Sequence, residues 1–75
     1  MKELIEYIAR SLVDHPEQVK VTQVEGEQSI IFLLQVAPDD RGKIIGKEGR
    51  IANAILTLLK VAAAREGKRA VLEII

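Results

Sequence analysis

The chain has 75 residues and no cysteine, and its 11 basic side chains balance 11 acidic ones. Because 48% of the residues are hydrophobic, we expect one folded domain over residues 1–75 and not a disordered chain. The missing cysteines exclude disulfides and thiolate metal sites and favour a reducing, cytoplasmic setting. No apolar run approaches the roughly 20 residues that span a bilayer, so no membrane partner is expected.

The first half of the chain predicts a helix followed by a hairpin. Residues 2–14 have the period of an amphipathic helix, which Pro16 stops. Residues 19–25 and 29–37 alternate as strands, and the short turn at Gly26 favours an antiparallel pair. The core side chains expected on the helix are Leu4, Ile5, Ile8 and Leu12, and those on the second strand are Ile30, Phe32, Leu34 and Val36.

The second half changes to helical periodicity. Asp39 is expected to cap a short helix. A loop at 46–49 leads to a long helix over about 50–66, which Gly67 terminates, and residues 70–75 form a third strand. The element order αββααβ predicts an α+β domain with a three-stranded sheet packed on one face by three helices.

The neutral net charge conceals two opposed halves. Residues 1–40 carry three bases and eight acids, whereas residues 41–75 carry eight bases and three acids. This excess of bases in the second half favours contact with an anion. Chance asymmetry in a small domain stays open as the alternative.

The basic half contains the segment Gly42-Lys43-Ile44-Ile45-Gly46-Lys47-Glu48-Gly49-Arg50. Glycine permits a positive φ and a close approach of a ligand to the backbone, and free N–H groups at the start of the following helix attract anions. A nucleotide-binding P-loop is disfavoured, because three and not four residues separate Gly42 from Gly46, and Glu48 follows Lys47 where Ser or Thr is needed. An ordinary turn between two helices remains open from these residues alone.

The run Ile44-Ile45-Gly46-Lys47-Glu48-Gly49, with Ile55 six residues beyond, resembles the Ile-Gly-x-x-Gly signature of KH domains. The predicted element order is similar to the type II KH arrangement, and the resemblance covers the whole chain. It extends to the small stand-alone bacterial KH proteins of the KhpA group, whose run into the loop looks like residues 36–47. The resemblance implies a module that binds single-stranded RNA and clamps about four backbone nucleotides in its loop.

The resemblance also implies roles for individual residues around the loop. Gly46 and Gly49 allow the nucleic-acid backbone to lie close. Lys47 contacts a phosphate from the loop tip, where the charge of Glu48 weakens phosphate binding. The remaining RNA-binding candidates are Arg50 at the head of the long helix, the auxiliary cation Lys43, and the apolar residues Ile45 and Ala52.

Aromatic side chains are scarce, with only Tyr7 and Phe32 in the sequence. Stacking of one base on an aromatic ring contributes about 1–3 kcal/mol in single-strand binders. Since Phe32 is expected in the core, we expect weak binding with low sequence specificity and a clear salt dependence.

The predicted long helix is apolar over roughly 220°, which exceeds the ~100° that one core contact requires. We expect part of the surplus to line the nucleotide groove and the rest to form a protein interface that contains Leu56, Leu59 and Lys60. The resemblance implies a homodimer or a heterodimer with a larger KH-containing protein. Exposed alanines and leucines without a partner are the alternative.

No residue pattern indicates catalysis, a metal or a cofactor. His15 is the only histidine and adjoins Pro16 at the predicted helix end, and Asp39-Asp40 is better explained by helix-start chemistry than by a catalytic carboxylate pair. The leading hypothesis is a non-enzymatic RNA chaperone or post-transcriptional regulator without a small-molecule substrate. The alternative is a protein–protein adaptor whose loop binds RNA weakly or not at all.

Overall fold

A computed structural model describes residues 2–75, which contain three α-helices, three β-strands and three short 3₁₀ turns. The helices are α1 (Lys2–Leu12), α2 (Arg41–Ile45) and α3 (Arg50–Ala64), and the strands are β1 (Lys20–Glu25), β2 (Ser29–Gln35) and β3 (Arg69–Ile74). The predicted α+β class and the predicted order αββααβ are confirmed.

The sheet has β2 at its centre, with β1 antiparallel on one side and β3 parallel on the other. The predicted hairpin closes where the Gly26 amide donates a hydrogen bond of 2.8 Å to the Ser29 carbonyl. A parallel pair requires a crossover connection of a dozen or more residues. Residues 36–68, which include α2 and α3, provide that connection, so the loop at 46–49 lies within the crossover.

The core lies between the sheet and the helix layer. On β2, Ile30, Phe32 and Leu34 are at most 2% exposed, and together with the buried Val36 they confirm the inner face predicted for this strand. Burial of one large aliphatic side chain contributes roughly 1.5–3 kcal/mol, so a few such contacts are enough to hold each helix on the sheet. Each helix contributes one large aliphatic side chain that is at most 1% exposed, namely Ile5 from α1, Ile44 from α2 and Leu59 from α3.

The first helix differs from its prediction in length and in the side chains that it buries. α1 ends at Leu12, two residues before the predicted end at Asp14. Ile5 and Ala9 are buried, and Ile8 is partly buried against the core, whereas Leu4 and Leu12 are 46% and 38% exposed. The helix contacts the sheet along one i, i+4 line, so only the middle of its apolar stripe is buried.

The prediction that Asp39 caps the second helix is wrong. Asp39 is exposed, because a 3₁₀ turn at Pro38–Asp40 intervenes and moves the start of α2 to Arg41. The neighbouring Asp40 is 1% exposed, and its carboxylate accepts hydrogen bonds from the backbone amides of Asp14 (3.1 Å) and His15 (3.0 Å). Asp40 therefore satisfies amides of the segment that follows α1 and joins that segment to α2.

The third helix ends at Ala64, two residues earlier than predicted. Gly67 adopts a φ of +70°. Its amide donates to the Ala64 carbonyl, and the Lys68 amide donates to the Ala63 carbonyl, each at 3.0 Å. This pair of hydrogen bonds is the Schellman arrangement that terminates helices, so the prediction that Gly67 ends the helix is confirmed.

Candidate nucleic-acid interface

The loop at 46–49 has a backbone conformation that few side chains tolerate. Gly46, Glu48 and Gly49 have φ values of +73°, +59° and +75°. A Cβ atom on Gly46 would lie 2.8 Å from Cγ1 of Ile51, which is closer than a normal contact, so this position requires glycine. A Cβ atom on Gly49 would lie 3.5 Å from Nδ2 of Asn53, so only the positive φ favours glycine there.

The two flanking helices hold this loop by their buried side chains. Ile44 of α2 is fully buried and Ile55 of α3 is 3% exposed. The Gly46 amide donates to the Gly42 carbonyl at 2.8 Å, and the Gly49 amide donates to the Gly46 carbonyl at 3.2 Å. The loop is therefore closed by its own backbone at the junction of two anchored helices.

Four charged side chains surround the loop, and all of them are exposed. Arg41, Lys47 and Arg50 form no ion pair with any residue of 2–75, so their charges are free for a ligand. Glu48 is the opposing charge at the loop tip. With three bases against one acid, and with the positive end of the α3 dipole beside them, the surroundings of the loop attract anions.

Lys43 differs from these cations because it has acidic partners. Its Nζ atom pairs with Oδ2 of Asp14 and lies 4.0 Å from Oδ1 of Asp40. The hydrogen bond to Asp14 raises the pKa of Lys43 and lowers the pKa of Asp14. A phosphate would have to compete with Asp14 for this ammonium group, so Lys43 is a weaker candidate contact than Lys47.

Apolar surface adjoins the loop on both helices. Ile45 is 42% exposed beside Gly46, and Ala52 and Leu56 are half-buried on α3. Because Ala52 and Leu56 are four residues apart, they share one face of the helix. Ile45, Ala52 and Leu56, called the apolar strip below, place aliphatic surface next to the cations of the loop.

A family model described as "KhpA/KhpB, KH domain" matches residues 2–74. The chain belongs to the KhpA/KhpB KH-domain family. It is 63% identical to the RNA-binding protein KhpA of Clostridium acetobutylicum and 61% identical to that of Clostridium perfringens, and both alignments cover the two chains completely. It is 45% identical to the RNA-binding protein KhpA of Aquifex aeolicus, over all of this chain and 95% of that relative. No solved structure gives a significant match.

This family assignment confirms the predicted resemblance to the KhpA group and the KH fold that it implied. Residues 45–50 and Ala52 lie together at the junction of α2 and α3, whereas Lys43 is engaged by Asp14. A contact of these residues with RNA stays a prediction.

The interface predicted on the long helix of this KhpA/KhpB-family chain needs one correction. Leu59 is 1% exposed and belongs to the core, so it cannot reach a partner in this fold. The buried line of α3 runs through Ile55, Leu59 and Ala63 at intervals of four residues.

Two exposed aliphatic residues replace Leu59 on the outer surface of α3. Leu58 is 52% exposed and Val61 is 57% exposed. Leu56 packs partly against the core, and Lys60 is exposed. A partner of α3 would therefore contact mainly Leu58 and Val61, with Lys60 between them in sequence.

A basic cleft toward the C-terminal end of α3 has no counterpart in the sequence predictions. It has a volume of about 220 Å³ and is lined by Lys60, Lys68, Arg69 and Ala70. Lys68 also pairs with Glu25 at 2.5 Å, and this hydrogen bond lowers the pKa of the Glu25 carboxyl. The excess of bases in residues 41–75 was the only sequence signal for such a cleft. The cleft forms where α3 packs beside the start of β3, and no local sequence pattern predicts that contact.

Another cavity, of about 520 Å³, is lined by Gln18, Gln35, Val36, Pro38, Arg41 and Ile75. Within residues 2–75, no group of three or more His, Cys, Asp or Glu side chains could hold a metal ion. In the same part of the chain, no helix has both the length and the apolar character needed to cross a membrane.

Proposed function

We propose that residues 1–75 form one KH domain that binds single-stranded RNA through the loop at 46–49. The observation that carries this proposal is the loop itself, in which two glycines with positive φ lie beside cations that have no ion-pair partner within residues 2–75. Relatives at 61–63% identity are named RNA-binding proteins, which supports the same ligand. The function is non-enzymatic, and the chain acts in the cytoplasm as a global RNA chaperone or post-transcriptional regulator.

Binding in this proposal rests on the RNA backbone. Because Gly46 and Gly49 lack side chains, a phosphate can approach the amides of the loop. Lys47 and Arg50 add charge-assisted hydrogen bonds from either side of Gly49. The apolar strip then receives the bases that the clamped backbone directs toward α3.

Aromatic stacking contributes little to this binding. Phe32 is fully buried, and Tyr7 lies on α1, which does not flank the loop. Since each stacked base would add about 1–3 kcal/mol, its absence keeps the affinity low. Binding therefore depends strongly on salt and weakly on base sequence.

Fluorescence anisotropy of a labelled single-stranded RNA at two salt concentrations tests this proposal. Lys47→Asp should weaken binding by about tenfold or more at low salt and reduce the salt dependence, because it replaces a phosphate contact by a repulsion. Lys20→Asp makes the same charge change at an exposed position on β1 and should change binding by less than about twofold. Equal losses in both variants would assign the effect to net charge, and unaltered binding in Lys47→Asp would contradict binding through the loop.

A protein–protein adaptor is the second candidate function, in which α3 binds a partner and the loop binds RNA weakly or not at all. The observation that favours it is the exposed pair Leu58 and Val61, three residues apart on one helix. The expected partner is a second copy of the chain or a larger KH-containing protein.

Sedimentation of a Leu58→Asp variant tests the helix interface. Leu58 is a better position for the change than Leu56, because Leu56 also supports the core. Loss of a dimer in a folded Leu58→Asp variant would support the interface. An unchanged sedimenting mass would show that α3 is not part of it. The adaptor function replaces the RNA-binding function only if the wild-type chain also fails to bind RNA at low salt.

A further inference from the structure

The face of the sheet opposite the helices carries an exposed apolar row. Val24 of β1 is paired with Ile31 of β2, and Ile31 is paired with Val71 of β3. These residues point away from the core, because Ile30 and Ala70 beside them are buried and strand residues alternate between faces. Val24 is 50% exposed and Val71 is 40% exposed, so the row crosses all three strands without a cover from residues 2–75.

Two opposite charges flank this row on β3. Arg69 lies two residues before Val71 and Glu73 lies two residues after it, so all three side chains share the outer face. Both charged residues are exposed, and neither forms an ion pair with a described residue of the chain. This edge strand thus presents a base, an apolar residue and an acid at equal spacing.

We propose that this outer face binds the same face of a second copy, about a two-fold axis that runs along the row of Val24, Ile31 and Val71. In a two-fold interface, residue i contacts residue j and j contacts i. The axis places each residue of the row against its own counterpart, and it places Arg69 of each copy against Glu73 of the other. One symmetry operation therefore covers the row and pairs both charges.

The pattern of charges favours a second copy over other occupants of this face. A nucleic-acid strand is bound through the neutralisation of its phosphates by bases, and Glu73 would repel it next to the row. A two-fold dimer instead requires a surface that complements itself. Arg69 and Glu73 meet that requirement, because they lie at the same distance in sequence on either side of Val71.

The interface is small, which determines how it must be measured. With strands about 4.8 Å apart and a rise of about 3.3 Å per residue, three strands over six residues cover on the order of 300 Å² per copy. Standard interfaces bury about 800 Å² per partner, so this association is weak and depends on protein concentration. It goes beyond the functions proposed above, since it uses neither the loop at 46–49 nor α3.

Analytical ultracentrifugation over a concentration series tests this proposal. Leu58→Asp serves as the parent chain, so that association through α3 does not contribute to the measured mass. Arg69→Glu places Glu against Glu and Glu73→Arg places Arg against Arg, so each variant alone should associate at least about tenfold more weakly than the parent at low salt. A mixture of the two variants restores both attractive pairs and should associate as the parent does. The exchanged double variant Arg69→Glu/Glu73→Arg should also associate as the parent does.

Val24→Glu distinguishes stacked faces from edge-to-edge pairing of two β3 strands. Edge pairing centred on Val71 would also match Arg69 with Glu73, but Val24 lies on β1 at the opposite edge of the sheet. Face-to-face stacking predicts that Val24→Glu abolishes association, with the fold checked by circular dichroism. A parent that is monomeric at every concentration, mixed variants that do not associate, or a Val24→Glu variant that associates like the parent would each overturn the proposal.

Discussion

Ile51 occupies the space that a side chain at Gly46 would need. The Cγ1 atom of Ile51 lies 2.8 Å from the position of a Cβ atom on Gly46, and its Cδ1 atom lies 3.0 Å away. The first turn of α3 therefore packs directly against the first residue of the loop. The conformation of the candidate RNA-binding loop depends on this contact as well as on the positive φ of Gly46.

The three glycines of this region should differ in their tolerance of alanine. Gly46→Ala combines a left-handed φ with a steric clash and should lower the free energy of unfolding by about 2–4 kcal/mol. Gly49→Ala has the left-handed φ without the clash and should lower it by about 1–2 kcal/mol. Gly42→Ala has open space within α2 and should be neutral or stabilising by up to about 1 kcal/mol. Urea denaturation measures all three, and a loss at Gly46 no larger than at Gly49 would contradict the contact with Ile51.

Asp40→Ala is expected to lower the free energy of unfolding by about 2–4 kcal/mol. The change removes the acceptor of the Asp14 and His15 amides, and each buried unsatisfied group costs about 1–3 kcal/mol. Asp39→Ala removes the adjacent exposed carboxyl and should stay within about 0.5 kcal/mol of the wild type. Urea midpoints compare the two variants, and a small loss in both would show that Asp40 does not hold the segment after α1.

The pair of Lys43 and Asp14 is expected to make stability depend on pH in the acid range. The hydrogen bond from Lys43 lowers the pKa of Asp14 from its ordinary value of 3.8. A group whose folded pKa is lowered stabilises the fold above its unfolded pKa, and this contribution is lost as the pH falls through the folded pKa. At low salt, the wild type should lose more stability than Asp14→Asn on acidification from about pH 5 to about pH 2. Parallel losses in both proteins would show that the pair does not contribute.

Glu48→Gln is expected to strengthen RNA binding by about two- to fivefold at low salt. Two unit charges 4 Å apart in water interact with about 1 kcal/mol, and the substitution removes that repulsion from the loop tip. The gain should shrink as salt rises, because the charges are exposed. Glu66→Gln, an exposed position beyond the end of α3, is the matched control in anisotropy titrations. Equal gains in both variants would indicate an effect of net charge and not of the loop.

Features with strong local signals were predictable from the sequence. The alternation of Ile30, Phe32 and Leu34 identifies the inner face of β2, because strand residues point to opposite faces in turn. Gly67 identifies the end of α3, because one residue with a positive φ is enough to terminate a helix. Each of these signals acts within a few residues.

Features that depend on contacts between distant segments were not predictable in the same way. Leu58 and Leu59 both fit an apolar helix face, and only the position of the sheet decides that Leu59 is buried. The sequence predicts Asp39 as the helix cap and gives no sign that its neighbour Asp40 is the buried one. The packing of α2 beside the end of α1 makes Asp40 a buried acceptor and leaves Asp39 in solvent.

Backbone amide chemical shifts during titration with a short single-stranded RNA test binding through the loop most directly, because they locate the contact without a substitution. Binding through the loop predicts that the largest shifts fall on residues 46–50 and on Ala52, and that they shrink as salt is raised. Shifts centred on the outer face of the sheet, or no shifts at low salt, would contradict it.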